Sequence, residues 1–165
     1  PGLRKLNFNY TDYATKTLQQ LFSKELIENS VVKKFNYCSS VIAINDGNGS
    51  FTINKLPIMV QLSSMNAIFV TDVNNDNKPD LITGGNKFIF PPQFGRLDAS
   101  FGDVLINMGN SNFTMMEHNK SGLNITGQVK DIKEIKGNNK RFILFAINDQ
   151  FPELYQIKNA TVKSK

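Results

Sequence analysis

The sequence predicts a mainly β fold, built from antiparallel hairpins and preceded by a short helical lead-in. Two observations predict the β part. Short, β-branched, apolar segments bounded by clusters of Gly, Asn and Asp recur from residue 41 onward. In addition, a hairpin-like motif is repeated 62 residues later in the chain. With 165 residues, the chain is long enough to bury a sizeable core.

The N-terminal segment, residues 1–34, is predicted to be a helical lead-in or linker. Its apolar residues from 18 to 26 follow helical spacing. Thr17 and Gln20 have the spacing of a capping box. Ser23 is an alternative starting point for a second short helix, which would give two broken turns rather than one rod.

The most informative segment is the loop from Asp72 to Asp80. Oxygen-bearing side chains occupy its positions 1, 3, 5 and 9, and a main-chain carbonyl is available at position 7. In loop order with the carbonyl last, these residues are Asp72, Asn74, Asp76, Asp80 and Lys78. Ca2+ takes about six to eight oxygen ligands at roughly 2.3–2.6 Å, and a short loop of alternating carboxylates provides them. The pattern therefore predicts a Ca2+ site, the alternative being an ordinary polar turn.

The flanks of the loop do not fit an EF-hand. An EF-hand loop ends in a bidentate Glu at position 12, where this chain has Thr83, and it lies between two helices. The segments 67–71 and 81–85 are short, β-branched and apolar, which is typical of strands. Asn77 stands where such loops need a positive φ, which Asn tolerates. The loop is therefore predicted to join two β-strands.

An apolar strand, a D-x-N-x-D-x-x-x-D loop and a second apolar strand together resemble the calcium-binding hairpin of FG-GAP and VCBS repeats. These repeats are the blades of integrin-α-like β-propellers. Residues 41–51 resemble the N-x-G-x-G-x-F turn that precedes this loop in a VCBS blade. The stretch G-R-L-D-A-S-F-G at residues 95–102 resembles one near the C-terminus of long VCBS-repeat surface proteins of Bacteroidota-type bacteria. The resemblance covers about residues 35–158 and implies two propeller-type blades, a partial propeller.

The internal repeat supports the same architecture. Residues 44–52 recur as residues 106–114. After each copy we expect a strand that leads to an aspartate, then a loop and a second strand. In the second copy this loop is expected to span residues 131–140, with Asp131 in the place of the first calcium ligand. Lys133 and Ile135 then occupy positions 3 and 5, so the second blade is predicted to have lost the metal.

These features divide the chain into five segments. They are a helical lead-in or linker (1–34), a blade with the calcium loop (35–87), a long aromatic and Pro connection (88–102), a degenerate blade without metal ligands (103–158) and a tail (159–165). Two blades cannot close a propeller, which needs about four to eight. We therefore expect the rest of a longer parent chain, or other subunits, to complete it.

The connection 88–102 is a second candidate site, because it combines three aromatic residues with a Pro-Pro pair that blocks regular strand pairing. One interpretation is a contact surface for a glycan or a surface protein. The other is that the aromatics pin the connection to the fold while its charged residues tie the backbone. The candidate contact residues are Phe88, Phe90, Phe94, Arg96 and Asp98.

Composition argues against catalysis and against nucleic acid as a partner. The chain has one histidine, His118, and one cysteine, Cys38, and it lacks a phosphate-binding glycine loop. Its net charge is +5, but the lysines are scattered along the sequence. No apolar run is long enough for direct membrane insertion.

The expected function is that of a non-catalytic, Ca2+-binding β-propeller segment in a larger protein. It would act as a binding or scaffold module for protein or glycan. Because millimolar Ca2+ is an extracellular condition, we expect a secreted protein or one on a bacterial cell surface. The alternative is an accessory propeller part of a secreted enzyme whose catalytic domain lies outside this chain.

Overall fold

The computed structural model describes residues 9–158, which fall into two compact units that divide after Cys38. The first eight residues of the predicted lead-in and the whole predicted tail, 159–165, lie outside the described residues. The first unit contains three short helices, α1 (Tyr10–Ala14), α2 (Leu18–Leu21) and α3 (Lys24–Glu28). The helical segment is therefore broken, as the alternative start at Ser23 predicts.

Local capping bonds explain where these helices begin. The backbone N–H of Thr17 donates to Gln20 Oε1 at 2.8 Å, ahead of α2. Ser23 Oγ accepts the backbone N–H of Leu26 at 3.3 Å and begins α3. Such caps satisfy backbone donors that have no partner inside the helix. Ser23 has an extended backbone, so the helices on either side of it cannot be continuous.

The second unit is mainly β, as predicted, and its described residues form three antiparallel sheets. The first is a hairpin of β1 (Val41–Asn45) and β2 (Phe51–Lys55). The middle sheet has the order β3 (Met65–Thr71), β4 (Asp80–Gly85), β5 (Asp103–Asn107), β6 (Phe113–Met115). The third sheet has the order β7 (Val129–Gly137), β8 (Lys140–Ile147), β9 (Glu153–Ile157). Shorter elements are the 3-10 helices Ile58–Gln61 and Pro92–Phe94 and the helix α4 (His118–Ser121).

Two hydrophobic layers hold the three sheets in a stack that follows chain order. Successive side chains of a strand point to opposite faces, so the middle sheet can be apolar on both. On one face Leu81 and Leu105 pack with Ile42 of the first hairpin. On the other face Ile82 packs in a cluster with Phe145 of the third sheet. Within residues 39–158 this stack is open and does not close into a ring.

The repeated sequence motif forms the same local structure twice. Hairpins β1–β2 and β5–β6 share one register, in which the Asn that ends the first strand pairs with the Phe that begins the second. In both hairpins the side-chain oxygen of this Asn accepts the backbone N–H of the Gly two residues later, at 2.9 Å. The two asparagines are Asn45 and Asn107.

The sheets are divided differently from the predicted segments. β1 and β2 form a sheet of their own, whereas β4 pairs onward with β5 through Leu81 and Leu105. Strands on both sides of the connection 88–102 therefore belong to one sheet. In the middle sheet the edge strand β3 and the interior strand β4 precede the connection, and the repeated hairpin of β5 and β6 follows it.

The predicted loop at residues 131–140 is wrong. Residues 129–137 are the strand β7, and β8 begins at Lys140, so the turn consists of Asn138 and Asn139. Both have a left-handed backbone, with φ of 50° and 59°, as in the tight turns that match the twist of a hairpin. The many lysines and acids of this segment favour a loop in the sequence, whereas Val129 and Ile132 are buried in the strand.

The alignment of Asp131 with Asp72 is also wrong. Both β3 and β7 contain a register shift near their start, between Met65 and Ala67 in the first case and between Val129 and Asp131 in the second. When these bulges are superposed, Asp131 corresponds to Ala67. The loop Asp72–Asp80 is thus an extension at the far end of its hairpin, where the third sheet has a two-residue turn.

Candidate functional site: the loop from Asp72 to Asp80

The loop connects β3 to β4, which confirms that it joins two antiparallel strands. Thr71 and Asp80 face each other in the register and form its base. Asn75 and Asn77 have left-handed backbones, with φ of 61° and 65°. Asn is among the few residues that accept this conformation readily, so the choice of Asn at these positions has a local physical reason.

Three of the predicted ligands turn their oxygens toward the backbone of the loop itself. Asp72 Oδ1 accepts the N–H of Asp76 at 3.2 Å, and its Oδ2 accepts the N–H of Asn77 at 2.9 Å. Asn74 Oδ1 also accepts the N–H of Asp76, at 3.1 Å. Asp76 Oδ1 accepts the N–H of Lys78 at 2.9 Å. These turns, formed by Asp and Asn side chains, shape the loop and place its oxygens on the inner side.

Asp80, the fourth predicted side-chain ligand, is completely buried. Its Oδ2 accepts the N–H of Val73 at 3.0 Å, and its Oδ1 accepts the N–H of Asn107 at 2.8 Å. No basic side chain of residues 9–158 forms an ion pair with it. A buried carboxylate without a cationic partner is costly, and its two oxygens offer about four acceptor positions. Asp80 therefore retains both the capacity and an electrostatic need for a positive charge.

The electrostatics of the exposed part of the loop favour charged carboxylates. The hydrogen bond from the Lys78 backbone N–H holds the pKa of Asp76 below its usual value, and the amide of Asn74 and the Lys78 ammonium add to this effect. The Lys78 Nζ lies 3.6 Å from Asp76 Oδ2. Both groups of this pair are largely exposed, so water screens the pair. Asp76 consequently remains ionised into the acid range.

Two residues outside the loop hold it in place, and sequence reasoning missed both. Arg141 of β8 donates from Nη1 to the Asp72 carbonyl at 3.0 Å and from Nη2 to Thr71 Oγ1. Its Nε donates to Glu134 Oε1 at 2.5 Å, so the guanidinium links the third sheet to the base of the loop. Asn107 of β5 donates from Nδ2 to the Pro79 carbonyl at 3.1 Å. Neither partner has a signal in the sequence near the loop.

The donor set fits a hard cation, but the side chains do not surround one in this conformation. Carboxylate, amide and main-chain oxygens are the ligands that Ca2+ prefers. No three acidic, His or Cys side chains within residues 9–158 are close enough together to form a metal-binding group. The oxygens are held by backbone N–H groups, and binding would have to draw Asp72, Asp76 and Asp80 together.

The five candidate residues of the connection 88–102 are only partly brought together. The Arg96 guanidinium lies 4.8 Å from the Phe88 ring centroid and pairs with Asp98 at 3.4 Å. Phe88 and Phe90 are half-buried, whereas Phe94 is 73% exposed. The half-buried positions of Phe88 and Phe90 thus agree with the interpretation that the aromatics anchor the connection to the fold, whereas the exposed Phe94 does not anchor it.

The lone histidine has an acidic neighbour. His118 Nε2 lies 3.8 Å from Asp103 Oδ1, and burial raises the pKa of Asp103. Ser64 Oγ and His118 Nδ1 are buried without a hydrogen-bond partner. The cavity that Asp103 lines beside Ser64 measures about 10 Å3, the space of a single water molecule.

A larger groove of about 460 Å3 lies between the middle and third sheets. Its volume is in the range of small-molecule sites. Its floor is the apolar face shared by the two sheets, including Ile82, Val104 and Phe145, and its rim includes Asn74 and Lys120. Its lining is predominantly apolar, so the groove offers apolar area with little chemical specificity.

Comparison with protein-family models, with curated proteins and with solved structures finds no match to this chain. Within residues 9–158, no helix has the length and apolar character needed to cross a membrane.

Proposed function

We propose that this chain is a non-catalytic, Ca2+-binding segment of a larger secreted or cell-surface protein of the β-propeller type. It would act as a binding or scaffold module for a protein or a glycan. The observation that supports this most directly is the loop Asp72–Asp80, in which the fully buried carboxylate of Asp80 has no basic partner among residues 9–158. The ion would be held by Asp72, Asn74, Asp76, Asp80 and the carbonyl of Lys78.

The contacts of the loop indicate what the ion would do for the fold. Ca2+ would supply the positive charge that the buried carboxylate of Asp80 lacks among residues 9–158. Asp80 is bonded to Asn107 of β5, and Arg141 of β8 is bonded to the backbone of Asp72. A rigid loop would therefore fix the junction of the middle and third sheets. The role is structural, and it leaves recognition to other surfaces.

The two end faces of the stack support the propeller-type part of the proposal. On the first hairpin, Phe51 is 58% and Ile53 is 55% exposed. At the opposite end, Leu154 of β9 is 55% exposed. Repeat units bury such faces against their neighbours, and uncovered apolar ends are characteristic of repeats that have lost a neighbour or a cap. Further sheets on both ends would cover these side chains.

Ca2+-dependent unfolding tests the proposal, with a pair of isosteric variants. Asp76→Asn keeps the oxygen that accepts the Lys78 N–H and removes one negative charge from the loop. Asp46→Asn is its matched control, because Asp46 Oδ1 accepts the N–H groups of Asn48 and Ser50 in the turn of the first hairpin. We expect Ca2+ to stabilise the native chain by about 2.7 kcal/mol at a hundredfold excess over Kd. Asp46→Asn should retain this gain and Asp76→Asn should lose most of it.

The pH dependence of the same gain is a second readout. Because the pKa of Asp76 lies below its usual value, its carboxylate should stay charged in mildly acid solution, and the part of the Ca2+ stabilisation that depends on it should fade only as the pH falls further and protons compete for it. No difference between calcium and chelator in the native chain would reject the metal site. Equal loss in Asp46→Asn would show that the effect is general and not confined to the loop.

A further inference from the structure

We propose that the free edge of β1 is a docking site for a β-strand from another repeat of the same kind. Like β4, the docking strand would begin with an Asp directly after a Pro and continue with apolar residues. This inference shares the repeated-sheet architecture with the proposed function, but it does not depend on Ca2+ at the loop Asp72–Asp80.

The backbone groups at this edge can be identified from the hairpin bonds. Asp46 N–H donates to the Ser50 carbonyl at 3.0 Å, and Leu56 N–H donates to the Ser40 carbonyl at 3.1 Å. In an antiparallel pair such bonded positions alternate with non-bonded ones. Val41, Ala43 and Asn45 therefore point their N–H and C=O groups away from β2. Within residues 39–158, β1 has no neighbour on that side.

The corresponding edge of β5 shows what such an edge binds. Leu105 of β5 pairs with Leu81 of β4. At the end of the strand, Asn107 N–H donates to Asp80 Oδ1 at 2.8 Å, and Asn107 Nδ2 donates to the Pro79 carbonyl at 3.1 Å. Since Pro79 has no N–H, its pairing with β5 is limited to its carbonyl, and the Asp80 carboxylate provides the other acceptor. Pro79 and the first residue of β4, Asp80, thus recognise an Asn at the end of the neighbouring strand.

β1 offers the same recognition elements. Asn45 occupies the position of Asn107, 62 residues earlier, and makes the same turn bond to the following Gly at 2.9 Å. Its backbone N–H and its Nδ2, the two groups that bind Pro-Asp in the case of Asn107, donate to no other group within residues 39–158. Ile42 faces the middle sheet in the same sense as Val104 faces the third. Orientation, register and donors therefore all match a missing strand of the β4 type.

The occupant is a strand from a further repeat rather than from a second copy of this chain. In a second copy, β4 lies between β3 and β5 and both of its edges are paired. A strand docked on β1 would extend the outer apolar face of the first sheet, on which Phe51 and Ile53 lie more than half exposed. In the middle sheet the equivalent face is covered by the neighbouring sheet of the stack.

The test uses the full chain and a nine-residue peptide with the sequence of residues 77–85, N-K-P-D-L-I-T-G-G. Hydrogen exchange of individual amides is followed by NMR while the peptide is added up to millimolar concentration. We expect protection of the N–H groups of Val41, Ala43 and Asn45. A peptide with Ala in place of its Asp should bind about tenfold more weakly, because it loses a hydrogen bond to a charged acceptor.

Two proline variants localise the binding. Ala43→Pro removes an N–H that points outward from β1, and Ile53→Pro removes one that points outward from the opposite edge of the hairpin. Proline is accepted on edge strands at such positions, so the hairpin of β1 and β2 should persist in both variants. We expect Ala43→Pro to abolish peptide binding and Ile53→Pro to leave it unchanged, while both variants keep the Ca2+ response of the native chain.

Three results would overturn the inference. They are absence of protection at millimolar peptide, equal binding by native chain and Ala43→Pro, and protection that appears on β2 or β9 instead of β1. Protection of β1 that depends on protein concentration and resists the peptide would show pairing between two copies, which also contradicts it. Because the Ca2+ response is measured separately, failure of peptide binding and failure of the metal site are distinguishable.

Discussion

Asn86 is the residue on which the start of the long connection depends. It is 1% exposed, and its backbone is left-handed, with φ of 76°. Its side-chain oxygen accepts Ser63 Oγ–H and Ser100 N–H, both at 2.9 Å. Its Nδ2 donates to the carbonyls of Ser100 at 2.8 Å and Gly127 at 3.1 Å. One side chain thus joins three segments that are distant in sequence.

Two replacements of Asn86 should separate the stabilisation that its side-chain hydrogen bonds provide from the cost of its left-handed backbone. Asn86→Gly keeps the left-handed backbone and leaves buried partners unsatisfied, at about 1–3 kcal/mol each, so we expect a loss of at least about 3 kcal/mol. Asn86→Ala should cost about 1 kcal/mol more, since Ala is strained at positive φ. Urea unfolding measures both.

Asn110 provides the control for that comparison. It is exposed, has φ of 49°, and no side-chain hydrogen bond of it is found in the described part of the chain. At this position Ala should lower the free energy of unfolding by about 1 kcal/mol more than Gly does, whereas Asn110→Gly should change the free energy of unfolding little. If Asn86→Gly is as mild as Asn110→Gly, the buried bonds of Asn86 do not stabilise the fold.

At this scale the sequence predicts local chemistry and misses long-range partners. The regular spacing of Asp72 to Asp80 provides four oxygen-bearing side chains in one loop, and turn bonds within the loop position three of them, Asp72, Asn74 and Asp76. Arg141 and Asn107 reach the loop from other strands, and no pattern near either residue points to it. The partners of Asn86 could not be predicted from the sequence either, because the fold as a whole brings them together.

Among the secondary-structure elements, the hairpin of β7 and β8 gives the sharpest prediction. Its turn residues, Asn138 and Asn139, both have positive φ, as a type I′ turn requires. Asn-Gly is the preferred pair for this turn, so Asn139→Gly should stabilise the protein by a few tenths to about 1 kcal/mol. Asn139→Ala should destabilise it by about 1 kcal/mol. Urea unfolding midpoints at constant slope measure the changes.

The position of the glycine within the turn serves as the control. Asn is favoured at the first central position of this turn, so Asn138→Gly should stabilise the protein less than Asn139→Gly does. Equal effects at both positions would mean that the turn is not of this type. A gain from Asn139→Ala would contradict the left-handed backbone directly.

Elements were predictable where turn chemistry and apolar alternation agree. The Asn and Gly residues of the repeated motif mark both outer hairpins, and the structure forms them in one register. The start of β7 was predicted as a strand leading to Asp131, but the rest of it was predicted as a loop because it is rich in lysines and acids, although Ile132 is 1% exposed. Its exposed face carries the charges, and its buried face is specified by few residues. The pairing of β4 with β5 across the connection 88–102 has no local signal either.

For the whole molecule, the mainly β class followed from the sequence, whereas the stacking of the sheets did not. Local patterns define hairpins, but which faces meet depends on side chains from two distant sheets. One close contact illustrates this, because β4 of the middle sheet meets β7 of the third at Gly84 and Val129. A Cβ added to Gly84 would lie 2.6 Å from Val129 Cγ1 and 2.7 Å from its Cβ. The absence of a side chain at Gly84 therefore sets the distance between the sheets.

A double-mutant cycle at this contact tests the stack itself. Gly84→Ala should cost about 1–3 kcal/mol, because Val129 is 1% exposed and cannot move aside. Val129→Ala should cost about 2 kcal/mol, through lost burial and the cavity it leaves. In the double variant the smaller residue 129 makes room for the new methyl group, so we expect a total at least 0.5 kcal/mol below the sum, within the usual range of about 0.5–3 kcal/mol for residues in contact. Strict additivity in urea unfolding would mean that the middle and third sheets do not meet at these residues, and the stack on which both proposals depend would have to be redrawn.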